Sequence, residues 1–205
     1  MRTECLALLL AAALTPGLAA AQDPNVEIIQ LAPPAYRDGD LAYWSRNDEV
    51  YRDTRHLAEL GEPGAQYDAA TMAHFRGETE TAMYWYRRAA GRGNGLAAYN
   101  LATIYCNGDG VPADDAKGAY WMERAAALGL PLAQFELAKM YYQGRGVETD
   151  HGREAYWYRQ AAENGNSAAA HNLAVMYHKG EGVRQDDGLA RQWLERARSL
   201  KGGGR

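Results

Sequence analysis

The stretch that decides the fold reads Ala98-Tyr99-Asn100-Leu101-Ala102-Thr103-Ile104-Tyr105, then Gly108-Asp109-Gly110-Val111, then Trp121-Met122-Glu123-Arg124-Ala125-Ala126. Its main positions return in the same order 36 residues further along the chain. Self-similarity at a fixed period of roughly 20 to 50 residues is the sequence signature of a repeat protein. The recurring columns include the tryptophans Trp85, Trp121, Trp157 and Trp193, the loop glycines Gly108, Gly144 and Gly180, and the aspartates Asp114, Asp150 and Asp186.

Four copies of the unit are present, and the first is shorter than the others. Gly61–Tyr67 mirrors Gly129–Phe135 at a separation of 68 residues, which is 36 plus 32. The four missing residues fall after Phe75, where the later copies carry a Gly-x-Gly-Val loop. We therefore predict four repeats, at residues 65–96, 97–132, 133–168 and 169–201.

Each repeat is predicted to form two helices. Apolar residues between Ala98 and Tyr105 recur at spacings of three and four, which places them on one helix face. Gly108 is expected to end that helix, since glycine adopts the left-handed conformation of helix C-termini without a steric penalty. Asp114 is expected to begin the second helix by accepting a hydrogen bond from a first-turn amide. Because one helix pair cannot bury both of its faces, the repeats must stack, and the predicted fold class is an all-α solenoid of antiparallel helix pairs.

We interpret the tryptophan column, Trp85, Trp121, Trp157 and Trp193, as part of the core. Truncation of a buried tryptophan to alanine costs about 3–5 kcal/mol, against a total stability of about 5–15 kcal/mol. Three or four such residues would therefore hold much of the array together. The alternative is a row of tryptophans that stacks on a ligand, but periodic aromatic residues belong to the core more often.

The two ends of the chain are predicted to differ from the repeats. Residues 1–21 combine a basic start, an apolar run and an Ala-x-Ala ending, the pattern of a cleavable secretory signal. This predicts export to the bacterial periplasm or secretion. No stable membrane insertion is expected after cleavage, because the apolar run is about half of the roughly 20 residues that span a bilayer. We further expect an extended or poorly ordered segment at 22–40, a capping helix region at 41–64 and a flexible tail at 202–205.

The repeated columns resemble the Sel-1-like repeat, a 36-residue relative of the tetratricopeptide repeat, over residues 65–201. The resemblance implies an α-solenoid that binds other proteins. Exported bacterial members of this family serve as adaptors, regulators of membrane-bound signalling systems, host-contact factors, or immunity proteins that neutralise secreted toxic effectors. A cysteine-rich branch is associated with penicillin binding through repeats with paired cysteines; this chain retains Cys106 alone after cleavage, so that activity does not transfer. The chain departs from the family pattern in its first copy, which lacks the loop, and at Glu154, where a small residue is usual.

The composition and the side-chain pattern argue against nucleic-acid binding and against catalysis. The chain carries a formal charge of −4 and no basic block that would attract a phosphate backbone. Of its five histidines, His171 and His178 are seven residues apart, and none has the three- or four-residue spacing to a second histidine or cysteine that a helical metal site needs. Cys106 would need an activating base and exposure to serve as a nucleophile. We therefore predict no catalytic residue, no metal site and no cofactor.

The expected partner is another protein, held on the first helices of the repeats, which line the concave side of such arrays. Candidate binding positions vary in chemistry from copy to copy, while the core columns stay fixed. Two columns meet this description: Asp68, Asn100, Glu136 and Asn172 in one, and Thr71, Thr103, Lys139 and Val175 in the other. Two alternatives stay open, an immunity protein against a secreted effector and a hydrolase acting on cell-wall or β-lactam substrates, although no catalytic site for the latter is visible.

Overall fold

The computed structural model describes residues 46–202, and every regular element within that range is an α-helix. The chain is an all-α repeat protein, as its sequence predicts. The predicted signal at 1–21, the segment 22–40, the start of the capping region and residues 203–205 lie outside the described residues. The helices are α1 (Asp48–Leu60), α2 (Pro63–Phe75), α3 (Thr79–Gly91), α4 (Gly95–Asn107), α5 (Asp115–Ala127), α6 (Pro131–Gln143), α7 (His151–Glu163), α8 (Ser167–Lys179) and α9 (Asp187–Gly202).

The chain divides into two compact units, and the boundary between them falls between Trp85 and Tyr86, inside α3. The described part of the first unit holds α1, α2 and the first half of α3. The second unit holds the end of α3 and the three helix pairs α4–α5, α6–α7 and α8–α9.

An aspartate and a glycine set the helix ends in each repeat of the second unit. Asp114 Oδ1 accepts a hydrogen bond from the Lys117 amide at 2.9 Å, and Asp150 and Asp186 cap α7 and α9 in the same way. Gly108 follows α4 in the left-handed conformation, with φ 76°, as do the equivalent glycines after α6 and α8. The predicted roles of Gly108 and Asp114 are confirmed.

The second glycine of the loop fixes how adjacent repeats pack. Gly146 (φ 70°) lies against the backbone carbonyl of Asp115, and Gly182 (φ 68°) lies against that of His151. A Cβ atom at either glycine would overlap that carbonyl oxygen. Asp115 and His151 are the first residues of α5 and α7. Each of these loops is therefore packed on the N-terminus of the second helix in the preceding repeat.

Arg145 adds polar bonds to the contact between the second and third repeats. Its Nε donates to Asp115 Oδ1 at 2.7 Å, and its Nη2 donates to the carbonyl oxygen of Cys106 at 2.8 Å. The Cys106 thiol occupies the space beside Gly118, where a Cβ atom would overlap Sγ. Exposed ion pairs contribute only about 0–1 kcal/mol to the free energy of unfolding. The steric fit of the glycines therefore matters more to this contact than the charge of Arg145.

Leucine and alanine side chains of the first helices form the centre of the second unit. Leu101, Leu137 and Leu173 are fully buried, and buried alanines flank each of them. Because alanine lets helices approach closely, this core is thin and close-packed. Adding or removing even one methylene group therefore disturbs the packing of the neighbouring side chains.

The tryptophan column is less buried than its periodicity predicts. Trp85 is 3% exposed, but the other three members are only half-buried: Trp121, Trp157 and Trp193. The large buried side chains of the second helices lie one position further along: Tyr86, Met122 and Tyr158. One position corresponds to a rotation of about 100° around the helix axis. The three half-buried tryptophans therefore lie at the edge of the buried face, from which Trp157 and Trp193 pack against the core.

The first unit closes its short repeat with a side-chain network in place of the glycine loop. Three residues, Arg76, Gly77 and Glu78, join α2 to α3, where the later repeats have seven. Glu78 Oε2 accepts a hydrogen bond from the Tyr51 hydroxyl at 2.7 Å, and Arg76 pairs with both Glu78 and Asp48 at 2.9 Å. Burial, followed by the bond to Glu78, raises the pKa of Tyr51 to about 12. These bonds hold α1 against the turn.

A buried glutamine shows that α1 takes the place of a second helix. Gln66 Nε2 donates to the carbonyl oxygen of Ala58 at 3.2 Å, and Gln134 Nε2 donates to that of Ala126 at 3.0 Å. Both glutamines are buried and both bonds span eight residues. α1 therefore meets α2 as α5 meets α6.

We predict that Gly146→Ala destabilises the protein more than Gly129→Ala does. Both glycines have positive φ, which costs an alanine about 1–2 kcal/mol. Nothing lies within 4 Å of a Cβ at Gly129, whereas a Cβ at Gly146 overlaps Asp115. Overpacking should lower the free energy of unfolding by about 1–3 kcal/mol more. Urea denaturation of both variants checks this, and equal losses would show that the loop contact is not steric.

Candidate protein-binding face

The first helices of the second unit present one partly exposed stripe opposite their buried residues. We call this stripe the first-helix face. Its positions follow the three- and four-residue spacing of a single helix side. Its members are Leu96, Tyr99, Asn100 and Thr103 on α4, Leu132, Phe135, Glu136 and Lys139 on α6, and His171, Asn172 and Val175 on α8.

Six of the eight predicted binding residues lie on this face: Asn100, Thr103, Glu136, Lys139, Asn172 and Val175. The other two, Asp68 and Thr71, are half-buried on α2 in the first unit. The Thr103 hydroxyl donates to the carbonyl oxygen of Asn100 at 2.8 Å, and the Thr71 hydroxyl donates to that of Tyr67 at 3.0 Å. Both hydroxyl protons are thus bonded within their own helices.

An internally neutral charge pair occupies the middle of the first-helix face. Lys139 Nζ lies 2.7 Å from Glu136 Oε2, one helical turn away, and 5.6 Å from the centroid of the Phe135 ring. The pair offers both a donor and an acceptor to a partner. Because the two charges cancel locally, this part of the face does not favour an anionic or a cationic partner.

Tyr158 links the face to the core. Its ring lies 5.6 Å from that of Phe135, and its hydroxyl is hydrogen-bonded to the side chain of Asn172. Burial raises the pKa of Tyr158, the bond from Asn172 opposes that rise, and the Glu154 carboxylate, followed by that of Glu136, adds to it. Burial and then Glu136 also raise the pKa of Tyr99. Glu136 on α6 therefore acts on the phenols of Tyr99 on α4 and Tyr158 on α7.

The most exposed apolar residues of the face were missed by the sequence analysis. Leu96 is 47% exposed and Leu132 is 45% exposed. Each lies four residues before a predicted candidate, Asn100 and Glu136 respectively. They lie one helical turn before these candidates on the same side of each helix. Only columns whose polarity differs between repeats were considered as candidates, so these leucines were not predicted.

The second helices carry a competing surface on their outer side. Tyr120 and Tyr156 are 55% and 53% exposed, and each ring meets the neighbouring tryptophan edge-on. The ring centroids are 5.2 Å apart at Trp121 and 4.9 Å apart at Trp157. Rigid exposed tyrosines are common in protein interfaces, so this surface is the main alternative to the first-helix face.

The reactive side chains outside the face include one partly buried thiol, Cys106, and two histidine–carboxylate pairs. Burial raises the pKa of the Cys106 thiol, with Arg145 opposing, which disfavours the reactive thiolate. His151 pairs with Glu154 and His178 with Asp187, each at 2.7 Å. Within residues 46–202, no three histidine, cysteine or acidic side chains are grouped as metal ligands. The described helices also include none long and apolar enough to cross a membrane.

The family model described as Sel1 repeat matches four consecutive segments of the chain, at residues 63–94, 95–130, 131–166 and 167–201. Members of this family are generally protein-interaction scaffolds. Among proteins with curated descriptions, none matches the chain.

Two solved structures are similar in both sequence and fold. One is a protective antigen present in uropathogenic Escherichia coli strains, with 37% identity, a TM-score of 0.64, and coverage of 73% of this chain and 33% of that protein. The other is a Sel1 repeat protein from Oxalobacter formigenes, with 36% identity, a TM-score of 0.66, and coverage of 75% and 46%. The chain thus spans less than half the length of either relative. An immunity protein of Pseudomonas aeruginosa, PA5088, is more distant, at 17% identity and a TM-score of 0.46 over 93% of this chain and 89% of that one.

We predict that Asp68→Asn stabilises the protein at pH 8 and has little effect at pH 4. Burial raises the pKa of Asp68 to about 6 from its ordinary value of 3.8. A raised carboxyl pKa means that the stability available below pH 4 is lost as the pH rises through about 6, by up to about 3 kcal/mol. Asparagine already stands at the equivalent Asn100 and Asn172.

Chemical denaturation of the wild type and Asp68→Asn at both pH values measures this effect. Asp109→Asn, in an exposed loop, is the control and should not change the pH dependence. A gain for Asp68→Asn of equal size at pH 4 and pH 8 would contradict the assignment.

Proposed function

The chain belongs to the Sel1 repeat family, and we propose that it is a non-enzymatic scaffold that binds another protein through the first-helix face of its second unit. The observation that supports this proposal most directly is the residue composition of that face. It combines the exposed Leu96 and Leu132, the half-buried Tyr99 and a charge pair that includes Glu136. Apolar anchors beside bonded polar groups are the usual make-up of a protein interface.

The way the repeats vary supports this proposal. The buried column Leu101, Leu137 and Leu173 is invariant across the second unit. The neighbouring, partly exposed columns change from asparagine to glutamate and back, and from threonine to lysine to valine. A uniform core with a variable surface suits recognition of one irregular partner, because stacking is satisfied by the core residues alone.

We propose that this binding takes place in the bacterial periplasm or outside the cell. The support is the basic start, apolar run and Ala-x-Ala ending of residues 1–21. In that setting, the role of adaptor and the narrower role of immunity protein differ only in the partner. Burial raises the pKa of the Cys106 thiol, which disfavours a hydrolytic role that uses this cysteine as nucleophile.

The test exchanges the charges of the central pair without altering the net charge. Glu136→Lys with Lys139→Glu keeps an ion pair at the same spacing, so the fold is preserved, but reverses the polarity presented to a partner. Affinity capture with the mature protein from envelope extracts of the producing cells identifies the partner. We expect the swap to reduce retention of that partner at least tenfold.

The matched control is the same swap at an exposed pair where α8 ends, Lys179→Glu with Glu181→Lys. It should retain the partner at the wild-type level. Full retention by the Glu136 and Lys139 swap, with an unchanged helical circular-dichroism spectrum, would exclude the first-helix face. Turnover of a cell-wall or β-lactam substrate by the purified protein would overturn the non-enzymatic assignment.

A further inference from the structure

An open groove of about 460 Å³ lies between α1 and α3 in the first unit. The residues around it are Arg55 and Glu59 on α1, and Glu80, Thr81, Tyr84 and Trp85 on α3. Tyr84 is 49% exposed, and its ring meets that of the buried Trp85 edge-on, with the ring centroids 4.9 Å apart. The groove therefore joins a packed aromatic pair to two carboxylates and one guanidinium.

The internal repeat shows that two residues of the groove are not required by the helix stack. At the position of Glu80, the second helices of the later repeats have a small residue: Ala116, Gly152 and Gly188. At the position of Thr81, they have a longer side chain: Lys117, Arg153 and Leu189. Both positions share a helix side with Tyr84, which follows them by four and three residues. The first repeat thus has more space and an added negative charge beside Tyr84, and the later repeats stack without either.

The charges of the groove favour a cationic ligand. The ion pairs formed within residues 46–202 involve neither Glu59 nor Glu80. The Arg55 guanidinium lies 5.8 Å from the centroid of the Tyr51 ring. With two carboxylates and one guanidinium, the lining carries an excess of negative charge. It matches a ligand that presents an arginine or lysine next to an apolar group that can pack on Tyr84.

The chain supplies such a ligand shortly before α1, in the sequence Pro33-Pro34-Ala35-Tyr36-Arg37, which lies outside the described residues. Proline fixes its own φ and restricts the residue before it, so paired prolines favour the extended polyproline II backbone. Segments of this kind bind aromatic-lined grooves. A polyproline II helix has three residues per turn and rises by about 3.1 Å per residue, which places Pro34 and Arg37 on one side, about 9 Å apart.

We propose that residues 33–37 bind in this groove of their own chain, with Pro34 on the Tyr84 ring and the Arg37 guanidinium at the Glu80 carboxylate. The bound segment covers the aromatic pair and withholds the outer surface of the first repeat from other proteins. Because the contact is intramolecular and confined to the first unit, it does not depend on the proposed scaffold function of the second unit.

The direction and the length of the chain allow this contact. Short turns join α1 to α2 and α2 to α3, so α1 and α3 run in the same direction. A segment that passes from Tyr84 to Glu80 therefore heads towards the end at which α1 begins. Asn47, the N-cap of α1, is ten positions after Arg37, a span of up to about 35 Å. Arg55 in the groove is only about 12 Å along the helix from Asn47.

Disulfide trapping tests the contact in the full mature protein, with Cys106→Ser so that only introduced thiols are present. Ala35→Cys is combined with Thr81→Cys in one variant and with Lys117→Cys, the equivalent position of the second repeat, in the other. We expect an intramolecular disulfide to form at least tenfold faster with Thr81→Cys. Mass spectrometry of the unreduced peptides identifies the bond.

The rate of trypsin cleavage after Arg37 gives a second measurement, because a bound segment must be released before it is cut. We expect this rate to rise at least tenfold in Tyr84→Ala and in Glu80→Gln. The matched control is Tyr120→Ala, which removes the equivalent, 55% exposed tyrosine of the second repeat and should leave the rate unchanged. Glu80 is exposed, so Glu80→Gln keeps the test valid even if Tyr84→Ala lowers the thermal midpoint.

Several results would overturn the inference. These are a wild-type rate of cleavage after Arg37 in Tyr84→Ala and Glu80→Gln, equal trapping by the two cysteine pairs, or disulfides that form only between chains. The last would assign the groove to a second copy. Loss of the captured partner in Glu80→Gln would assign the groove to that partner. If these tests fail while the Glu136 and Lys139 swap still loses the partner, the scaffold function holds and this inference alone is wrong.

Discussion

The contact between a loop glycine and a backbone carbonyl of the preceding repeat determines how this protein is built. Gly146 meets the first carbonyl of α5, and Gly182 meets that of α7. No side chain fits between these backbones, so the stacking distance is fixed by atoms that mutation cannot adjust. Aspartate caps then set where α5 and α7 begin, left-handed glycines set where α4, α6 and α8 end, and all five helices are 13 residues long. Equivalent side chains of successive repeats are therefore kept in register.

That register makes a surface available for recognition. Stacking is satisfied by buried alanines and by leucines such as Leu137, so the exposed positions of the first helices carry little of the fold. Substitutions at the exposed positions are expected to change stability by only about 0.5 kcal/mol. Asp68 shows the converse, because its burial raises its pKa and makes the ionised carboxylate destabilising at neutral pH. Natural proteins tolerate such residues chiefly where function needs them.

The features that depend on local rules were predictable from the sequence. A glycine after an apolar stripe and an aspartate before the next one define helix ends through backbone geometry, which is why Gly108 and Asp114 were placed correctly. Periodicity also gave the helix pairs and the repeat count. Six candidate residues were brought onto one face, because equivalent positions of stacked repeats must share a side.

The features that depend on the rotation of each helix about its own axis and on side-chain burial were not predictable from the sequence. Trp157 and Tyr158 are adjacent and both aromatic, and only the packing of α7 shows that the tyrosine is the buried one. The burial of Glu154 depends on helix packing that no motif encodes, whereas its bond to His151, three residues earlier in α7, is local. The exposed Leu132 was missed because an apolar residue in a helical pattern is ordinarily counted as core.

The central claim is that a partner protein contacts the first helices and not the outer side of the second helices. Site-specific photo-crosslinking in the producing cells tests it most directly, with a photoreactive residue placed at Asn100 in one variant and at Tyr156 in another. We predict a discrete crosslinked partner from Asn100 and none from Tyr156. A partner crosslinked from Tyr156 alone would contradict it and would assign recognition to the tyrosine–tryptophan surface.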